Sequence, residues 1–257
     1  MSDAATTDAP ARGRVRVETS AKRVRAYLGG HPVVDTLRPH LVWEVPYYPT
    51  YYLPAEDLRA ELVPTGPSQH SPSRGDATVY TVRAGGGAEA ADAALRYHDS
   101  PIPELRELVR LDWNAMDAWF EEDEQVYVHA RSPYTRVDIL DSSRHVRVEV
   151  AGVPVADSTH PRVLFETGLP PRFYLPQPHV RLDLLEPSDR VTHCPYKGQA
   201  RYWSVRVGDT LHPDLAWSYP APLPESQKVA GLVAFWDEKV DVFVDGVHQE
   251  RPKTPFS

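Results

Sequence analysis

The sequence is short of cysteine, of excess positive charge and of long apolar runs, and each shortage excludes a class of protein. Cys194 is the only cysteine, so an internal disulfide and a cysteine-rich zinc site are both excluded. A single thiol is also typical of a reducing compartment, which predicts a cytoplasmic protein. The net charge of −8 argues against nucleic acid as a partner, because binding the phosphate backbone needs a concentrated basic face.

Apolar stretches are too short for a membrane protein. No run approaches the roughly 18 apolar residues that cross a bilayer, so we expect no membrane partner. The N-terminal stretch MSDAATTDAPARGR is polar and lacks the apolar core of a signal peptide. The sequence also lacks GxxxxGK[ST] and GxSxG, which argues against a P-loop and against a serine-hydrolase elbow.

The sequence does contain a repeat of itself. RVRVETSAKRVRAYLGGHPVVDT, which begins at Arg14, is similar to RVDILDSSRHVRVEVAGVPVADS, which begins at Arg136. The repeat is longer than the roughly 20–50 residues of a solenoid unit, so it predicts a duplicated domain. Equivalent positions include Gly30 and Gly152, Glu44 and Glu166, Tyr52 and Tyr174 and, after one added residue, His70 and His193.

The duplication predicts the domain organisation. We expect a flexible tail over residues 1–13, a first β domain over 14–132, a second over 133–250 and a C-terminal tail over 251–257. The join falls at ARSPYT, where proline and small polar residues interrupt the strand pattern. The two halves are expected to pack on each other as an intramolecular pseudo-dimer.

Local patterning predicts an all-β fold with only minor helical turns. VRVEVAGVPVADS alternates apolar and polar residues around a glycine turn, which is typical of a hairpin. The 26 prolines and 14 glycines favour short strands and turns over long helices. Residues Leu108 to Leu111 are predicted as a strand. The following WNAMDAWF is interpreted as an insertion unique to the first half that forms a short helical turn.

Four stretches resemble a known family. WEVPYYPTYYLPAEDL and FETGLPPRFYLPQPHV, with THCPYKGQARYWSV and the closing DEKVDVFVDG, are similar to a tandem pair of DUF427 domains, a family of undefined function. The resemblance covers the chain from about Arg14 to Gly246. It implies two tandem antiparallel β domains, of a tent-like kind. The family also carries a nucleotidyltransferase label, which makes nucleotidyl transfer an alternative function.

The second half contains a candidate catalytic set. Glu166 lies among apolar neighbours, where a carboxylate takes a raised pKa or a cationic partner, and Arg172 or Lys197 would supply that cation. Glu166 would act as acid or base, Lys197 would stabilise an electrophile, Tyr174 would orient a ligand and His193 is a secondary proton-transfer candidate. The alternatives are a structural ion pair at Glu166 and a tyrosine that only packs.

Residues around this set are candidates for binding a ligand. His193 and Cys194 are neighbours in a strand and point to opposite faces, and we interpret Cys194 as a small buried thiol rather than a nucleophile. The sequence leaves the cofactor unknown, and it predicts no metal site, because His179, His193, Cys194 and His212 lack the spacing of metal ligands. The ligand-binding candidates are Arg172, Cys194, Tyr196, Tyr202, Trp203 and Trp217 in the second half and Glu44, Tyr52, His70 and Arg74 in the first.

The combination of one cation, one acid and several aromatic side chains is typical of a small-molecule site. We therefore expect a protein that binds a small organic molecule in its second domain and that could also transform it. The alternative from another class is a non-catalytic module, in which the duplicated β domains form a surface for binding or assembly.

Overall fold

The computed structural model describes residues 15–254. The predicted N-terminal tail and residues 255–257 of the predicted C-terminal tail lie outside the described residues. Contacts divide the chain between Ala130 and Arg131 into two compact units, called unit 1 and unit 2 below. Among the described residues, no helix is long and apolar enough to cross a membrane.

Unit 1 consists of antiparallel strands in two sheets. One sheet has seven strands in the order β1-β4-β5-β9-β8-β7-β6, and the other has four in the order β11-β10-β2-β3. Short 3₁₀ turns occur at Ala55–Asp57, Gly85–Gly87 and Pro103–Leu105. The strands are β1 (Arg16–Thr19), β2 (Val24–Leu28), β3 (His31–Thr36), β4 (His40–Trp43), β5 (Thr50–Pro54), β6 (Glu61–Ser71), β7 (Gly75–Arg83), β8 (Glu89–Arg96), β9 (Leu108–Leu111), β10 (Ala118–Glu121) and β11 (Glu124–Val126).

Unit 2 repeats this arrangement in three antiparallel sheets. Their orders are β12-β15-β16, β14-β13-β21-β22 and β17-β18-β19-β20. Short 3₁₀ turns occur at Gln177–His179, Leu182–Leu184 and Pro224–Val229. The strands are β12 (Val137–Asp141), β13 (Val146–Val150), β14 (Val153–Ser158), β15 (Arg162–Glu166), β16 (Arg172–Tyr174), β17 (Leu185–Cys194), β18 (Gly198–Val207), β19 (Thr210–Ser218), β20 (Val233–Phe235), β21 (Asp241–Val244) and β22 (Val247–His248).

Strand pairing confirms that the all-β fold is an internal duplication. The hairpins β2–β3 and β13–β14 both contain a register shift, after Ala26 in unit 1 and after Val148 in unit 2. The hairpins β6–β7 and β17–β18 both turn through a glycine with positive φ, Gly75 at 88° and Gly198 at 93°. Each unit buries two clusters of apolar side chains of its own.

The prediction for WNAMDAWF is wrong. Residues 112–117 form a turn in which the Met116 amide donates to the Trp113 carbonyl at 3.4 Å, and Ala118 begins strand β10. Because β10 pairs with β2 as β21 pairs with β13, this stretch is no insertion. The connection from β9 to β10, residues 112–117, is one residue longer than the equivalent connection from β20 to β21, residues 236–240. Buried Trp119 alternates with half-buried neighbours, which is the period of a strand rather than a helix.

Candidate functional site

Glu166 and Lys197 of unit 2 form a direct ion pair. Glu166 is the last residue of β15, and Lys197 lies in the turn between β17 and β18. The residue that follows Lys197 is Gly198, which adopts a φ of 93°, a conformation that favours glycine. Lys197 Nζ donates to Glu166 Oε2 at 2.5 Å, and the two side chains are 11% and 10% exposed.

Arg172, the other predicted partner of Glu166, binds different acids. Its guanidinium donates to Glu238 at 2.9 and 3.1 Å and lies 3.2 Å from Asp237. It also stacks 5.4 Å from the centre of the Trp217 ring. Of the two predicted cations, Lys197 is therefore the one beside Glu166.

Several polar groups surround the ion pair. Burial alone would lower the pKa of Lys197, but the neighbouring Cys194, Glu166 and Tyr174 together raise it, so the ammonium stays charged. Burial raises the pKa of Tyr174 to about 12, against the opposing effect of Lys197. The Tyr174 hydroxyl accepts a bond of 3.4 Å from Trp217 Nε1, so the described bond of this phenol is to Trp217 rather than to Glu166.

Aromatic side chains lie near the pair, and two of them, Tyr174 and Tyr219, interact electrostatically with Glu166. Tyr174, Tyr202, Trp217 and Tyr219 belong to one buried cluster, against which Cys194 packs. The Tyr202 hydroxyl is bonded to Thr192 at 2.9 Å. The Tyr196 hydroxyl, by contrast, accepts the backbone N–H of Ser132 at 2.8 Å.

The structure does not bring two of the predicted unit 2 residues to the pair. Trp203 packs against a second cluster of unit 2 that includes Val146, because neighbouring residues of a strand face opposite ways. His193 interacts across the hairpin with Gln199 at 3.2 Å, while the adjacent Cys194 packs against the aromatic cluster.

Unit 1 contains an equivalent cluster with more donors. Glu44 Oε1 accepts the Tyr52 hydroxyl at 2.6 Å and Arg110 Nε at 3.0 Å, and it forms an ion pair of 2.8 Å with Arg74. Burial and the negative charge of Glu44 raise the pKa of Tyr52, so its phenol remains a donor. Predicted His70 is exposed and bonded to Asp76 at 2.6 Å.

Sequence reasoning missed three residues of these clusters, Arg110, Tyr97 and Tyr219. Arg110 lies in β9 opposite Tyr52, and Arg74 stacks 5.3 Å from the ring of Tyr97. Tyr219 follows β19 as Tyr97 follows β8. Burial raises the pKa of Tyr219, with Tyr174, Cys194 and Glu166 contributing. The signal was present, because both halves place a tyrosine directly after the equivalent strand.

Comparison with known protein families finds one family model that matches both halves of the chain. The family model described as "Domain of unknown function (DUF427)" matches residues 16–122 and residues 138–246. The chain belongs to the DUF427 family. The predicted tandem pair of DUF427 domains is thereby confirmed. No curated protein matches the chain.

The second DUF427 copy also contains a cavity of about 370 Å³. Phe165 lines it, so it lies on the opposite face of β15 from Glu166. None of the predicted site residues lines this cavity. Its walls are formed by Leu140, Asp141, Ser142, Arg144, Val163, Phe165, Pro170, Pro171, Phe173, Asp237, Val242, Val244, Gln249, Glu250 and Pro252.

Asp237, an acid of the cavity wall, has a raised pKa. Burial raises the pKa of Asp237 to about 6, against the opposing charge of Arg172. Within residues 15–254, no group of three or more His, Cys, Asp or Glu side chains is arranged to hold a metal ion.

Proposed function

We propose that the second DUF427 domain binds a small organic molecule at the Glu166–Lys197 pair. The observation that carries this proposal is the pair itself, a charged lysine and a carboxylate that are each about a tenth exposed. Removing two charges from water costs more than packing apolar side chains in the same place. Such a pair beside a thiol and several phenols has the composition of a ligand site.

The roles follow from the charges. The Lys197 ammonium would donate to an electron-rich oxygen of the ligand, such as a carbonyl oxygen, and would stabilise negative charge that develops there. The Glu166 carboxylate, released from Lys197, would accept a proton from the ligand and return it later. Tyr174, which is buried and interacts electrostatically with both Lys197 and Glu166, would orient the ligand.

The test combines native mass spectrometry with thermal shift. Freshly purified protein is first weighed for a bound small molecule, and a panel of α-keto acids and aldehydes is then screened for stabilisation. We expect stabilisation of the wild type that is lost in Glu166→Gln and Lys197→Met. Glu44→Gln, the equivalent change in unit 1, is the matched control and should retain it. A stabilisation that Glu166→Gln leaves unchanged would remove Glu166 from the site.

One observation favours a second candidate function, a non-catalytic module for binding or assembly. Lys197 and Glu166 contact each other directly, which is also the geometry of a structural clamp between β15 and the β17–β18 turn. The compound panel separates the two functions, because loss of a buried partner destabilises the protein in either case. A clamp predicts that Lys197→Met lowers the melting temperature and that no compound of the panel stabilises the wild type, whereas a ligand site predicts the same lowered melting temperature together with a stabilising compound.

A further inference from the structure

The cavity of unit 2 lies where unit 1 places its own tryptophans. Trp119 of β10 pairs with Ala26 of β2, and Val242 of β21 pairs with Val148 of β13. Ala26 and Val148 precede the equivalent register shifts of their hairpins. Trp119 and Val242 therefore occupy the same place in the two DUF427 copies.

In unit 1 this place is filled by stacked aromatic rings. The Trp113 and Trp119 rings lie 4.7 Å apart and 8° from parallel, and Tyr51 stacks on Trp119 at 6.2 Å and 24°. Trp119 is 3% exposed, and its Nε1 donates to the Trp113 carbonyl at 3.1 Å. The fold thus accommodates flat rings at this position, with a polar N–H satisfied at their edge.

In unit 2 the same place is open. Val242 replaces Trp119, and Phe173 replaces Tyr51 in the strand pairing, and both line the cavity. Leu140 and Phe165, which are 48% and 42% exposed, form part of its apolar wall. A volume of about 370 Å³ lies in the range of small-molecule sites, roughly 300–1,000 Å³.

The polar end of the cavity carries excess negative charge. Asp237 lines it, and the nearest described cation, Arg172 at 3.2 Å, is shared with Glu238. One guanidinium therefore faces two carboxylates. Arg144, the cation of the cavity wall, is bonded to Asp245. A ligand group that donates hydrogen bonds or carries positive charge complements this end.

We propose that the cavity of unit 2 binds a planar aromatic molecule that carries an amine. Its ring lies where the indole of Trp119 lies in unit 1, between Val242 and Phe173, and its amine faces Asp237. This site is separate from the Glu166–Lys197 pair and does not depend on the function proposed for that pair.

The test uses two indole probes of opposite charge, tryptamine and indole-3-acetate, with isothermal titration calorimetry on the full-length protein. We expect tryptamine to bind at least tenfold more tightly than indole-3-acetate. Val242→Trp installs the side chain of unit 1 and should abolish tryptamine binding while the circular dichroism spectrum stays that of the wild type. Asp237→Asn should weaken tryptamine at least tenfold, whereas Asp209→Asn, in an exposed turn, is the matched control.

Three results would overturn the proposal. They are no tryptamine binding to the wild type, equal affinity for the two probes, and unchanged tryptamine affinity in folded Val242→Trp. If Val242→Trp does not fold, Asp237→Asn decides, and an unchanged tryptamine affinity in that variant overturns the proposal as well. Glu166→Gln should leave tryptamine binding intact, so failure here and failure of the function proposed for the ion pair are distinguishable.

Discussion

The two DUF427 copies place an acid and a cation in equivalent positions but balance their charges differently. Glu44 of unit 1 faces Arg74 and Arg110, so the cluster carries excess positive charge. Leu53 pairs with Val109 in unit 1, and the equivalent Leu175 pairs with Val233 in unit 2. The residue after Val109 is Arg110, whereas the residue after Val233 is Ala234. Unit 2 therefore has an alanine at the position of the second cation. Lys197 is then the only cation paired with Glu166 among residues 15–254.

This difference shows which part of the cluster the duplicated fold requires. Both units contain the acid that follows β4 or ends β15, the tyrosine of the next strand and the cation of the hairpin turn. The second cation is not, so it is dispensable for the fold. Unit 1 has reinforced its carboxylate with three partners on one oxygen, whereas the carboxylate of unit 2 depends on one. We therefore expect the two clusters to respond differently when a partner is removed.

The largest effect is expected for Lys197→Met. It leaves Glu166 buried without its cation, and breaking a buried pair from one side costs about 3–5 kcal/mol. The free energy of unfolding in urea measures this loss. Arg74→Met is the matched change in unit 1 and should cost less, because Glu44 keeps Arg110 and Tyr52. Equal losses in the two variants would contradict the contrast between the clusters.

Trp119→Val tests the aromatic difference between the units. It gives unit 1 the side chain that unit 2 has, and it removes a ring that is stacked on two others. Truncation of a buried tryptophan leaves a cavity, and we expect a loss of about 3 kcal/mol in the free energy of unfolding. Indole added at high concentration should recover part of this loss by filling the cavity. A loss below about 1 kcal/mol would show that the surrounding rings collapse into the space.

Asp237→Asn tests the charged end of the unit 2 cavity through pH. Because burial raises the folded pKa of Asp237 from its ordinary 3.8 to about 6, ionisation opposes folding. The stability that the protonated Asp237 contributes is fully present below about pH 4, and it is lost as the pH rises through about 6. The free energy of unfolding is expected to fall by at most about 3 kcal/mol over this pH range.

The measurement compares the free energy of unfolding of wild type and Asp237→Asn at several pH values. The wild type should lose stability relative to the variant between pH 4 and pH 6.5. Arg172 and Glu238, which face Asp237, are unchanged in the variant. Parallel curves for the two proteins would show that Asp237 ionises without cost.

The sequence predicted the features that repeat and missed those that depend on long-range pairing. The internal repeat located Glu166, Tyr174 and Lys197, since these positions keep their chemistry in both copies. Strand alternation separates His193 from Cys194, and the same rule separates Tyr202 from Trp203, although both are ligand-binding candidates from the sequence. The alternation of side chains between the two faces of a strand thus predicts which residues lie together better than their proximity in the sequence does.

The cavity could not be predicted from either half alone. Trp119 and Val242 are equivalent only through strand pairing, and the connection that is one residue longer in unit 1 hides their alignment. The exposure of Phe165 likewise depends on which strands cover β15. An opening that arises because one side chain is small becomes visible only when both folded units are compared.

The smallest effects are expected at the two hairpin glycines that position the cations. Gly75 and Gly198 adopt φ values of 88° and 93°, a region that strains any L side chain by about 1 kcal/mol or more. An added Cβ at Gly198 would lie 3.5 Å from its nearest neighbours, but at Gly75 it would lie 3.3 Å from Pro101 Cδ. Gly75→Ala should therefore destabilise the protein slightly more than Gly198→Ala.

For ligand affinity we expect the opposite order, with the larger effect in Gly198→Ala. Gly198→Ala should displace Lys197 and weaken any compound held by the Glu166–Lys197 pair, whereas Gly75→Ala acts on Arg74 in the other unit. Urea unfolding and thermal shift with a stabilising α-keto acid or aldehyde measure the two effects separately. If Gly75→Ala weakens that compound as much as Gly198→Ala, the ligand does not distinguish the two units, and the assignment of binding to unit 2 fails.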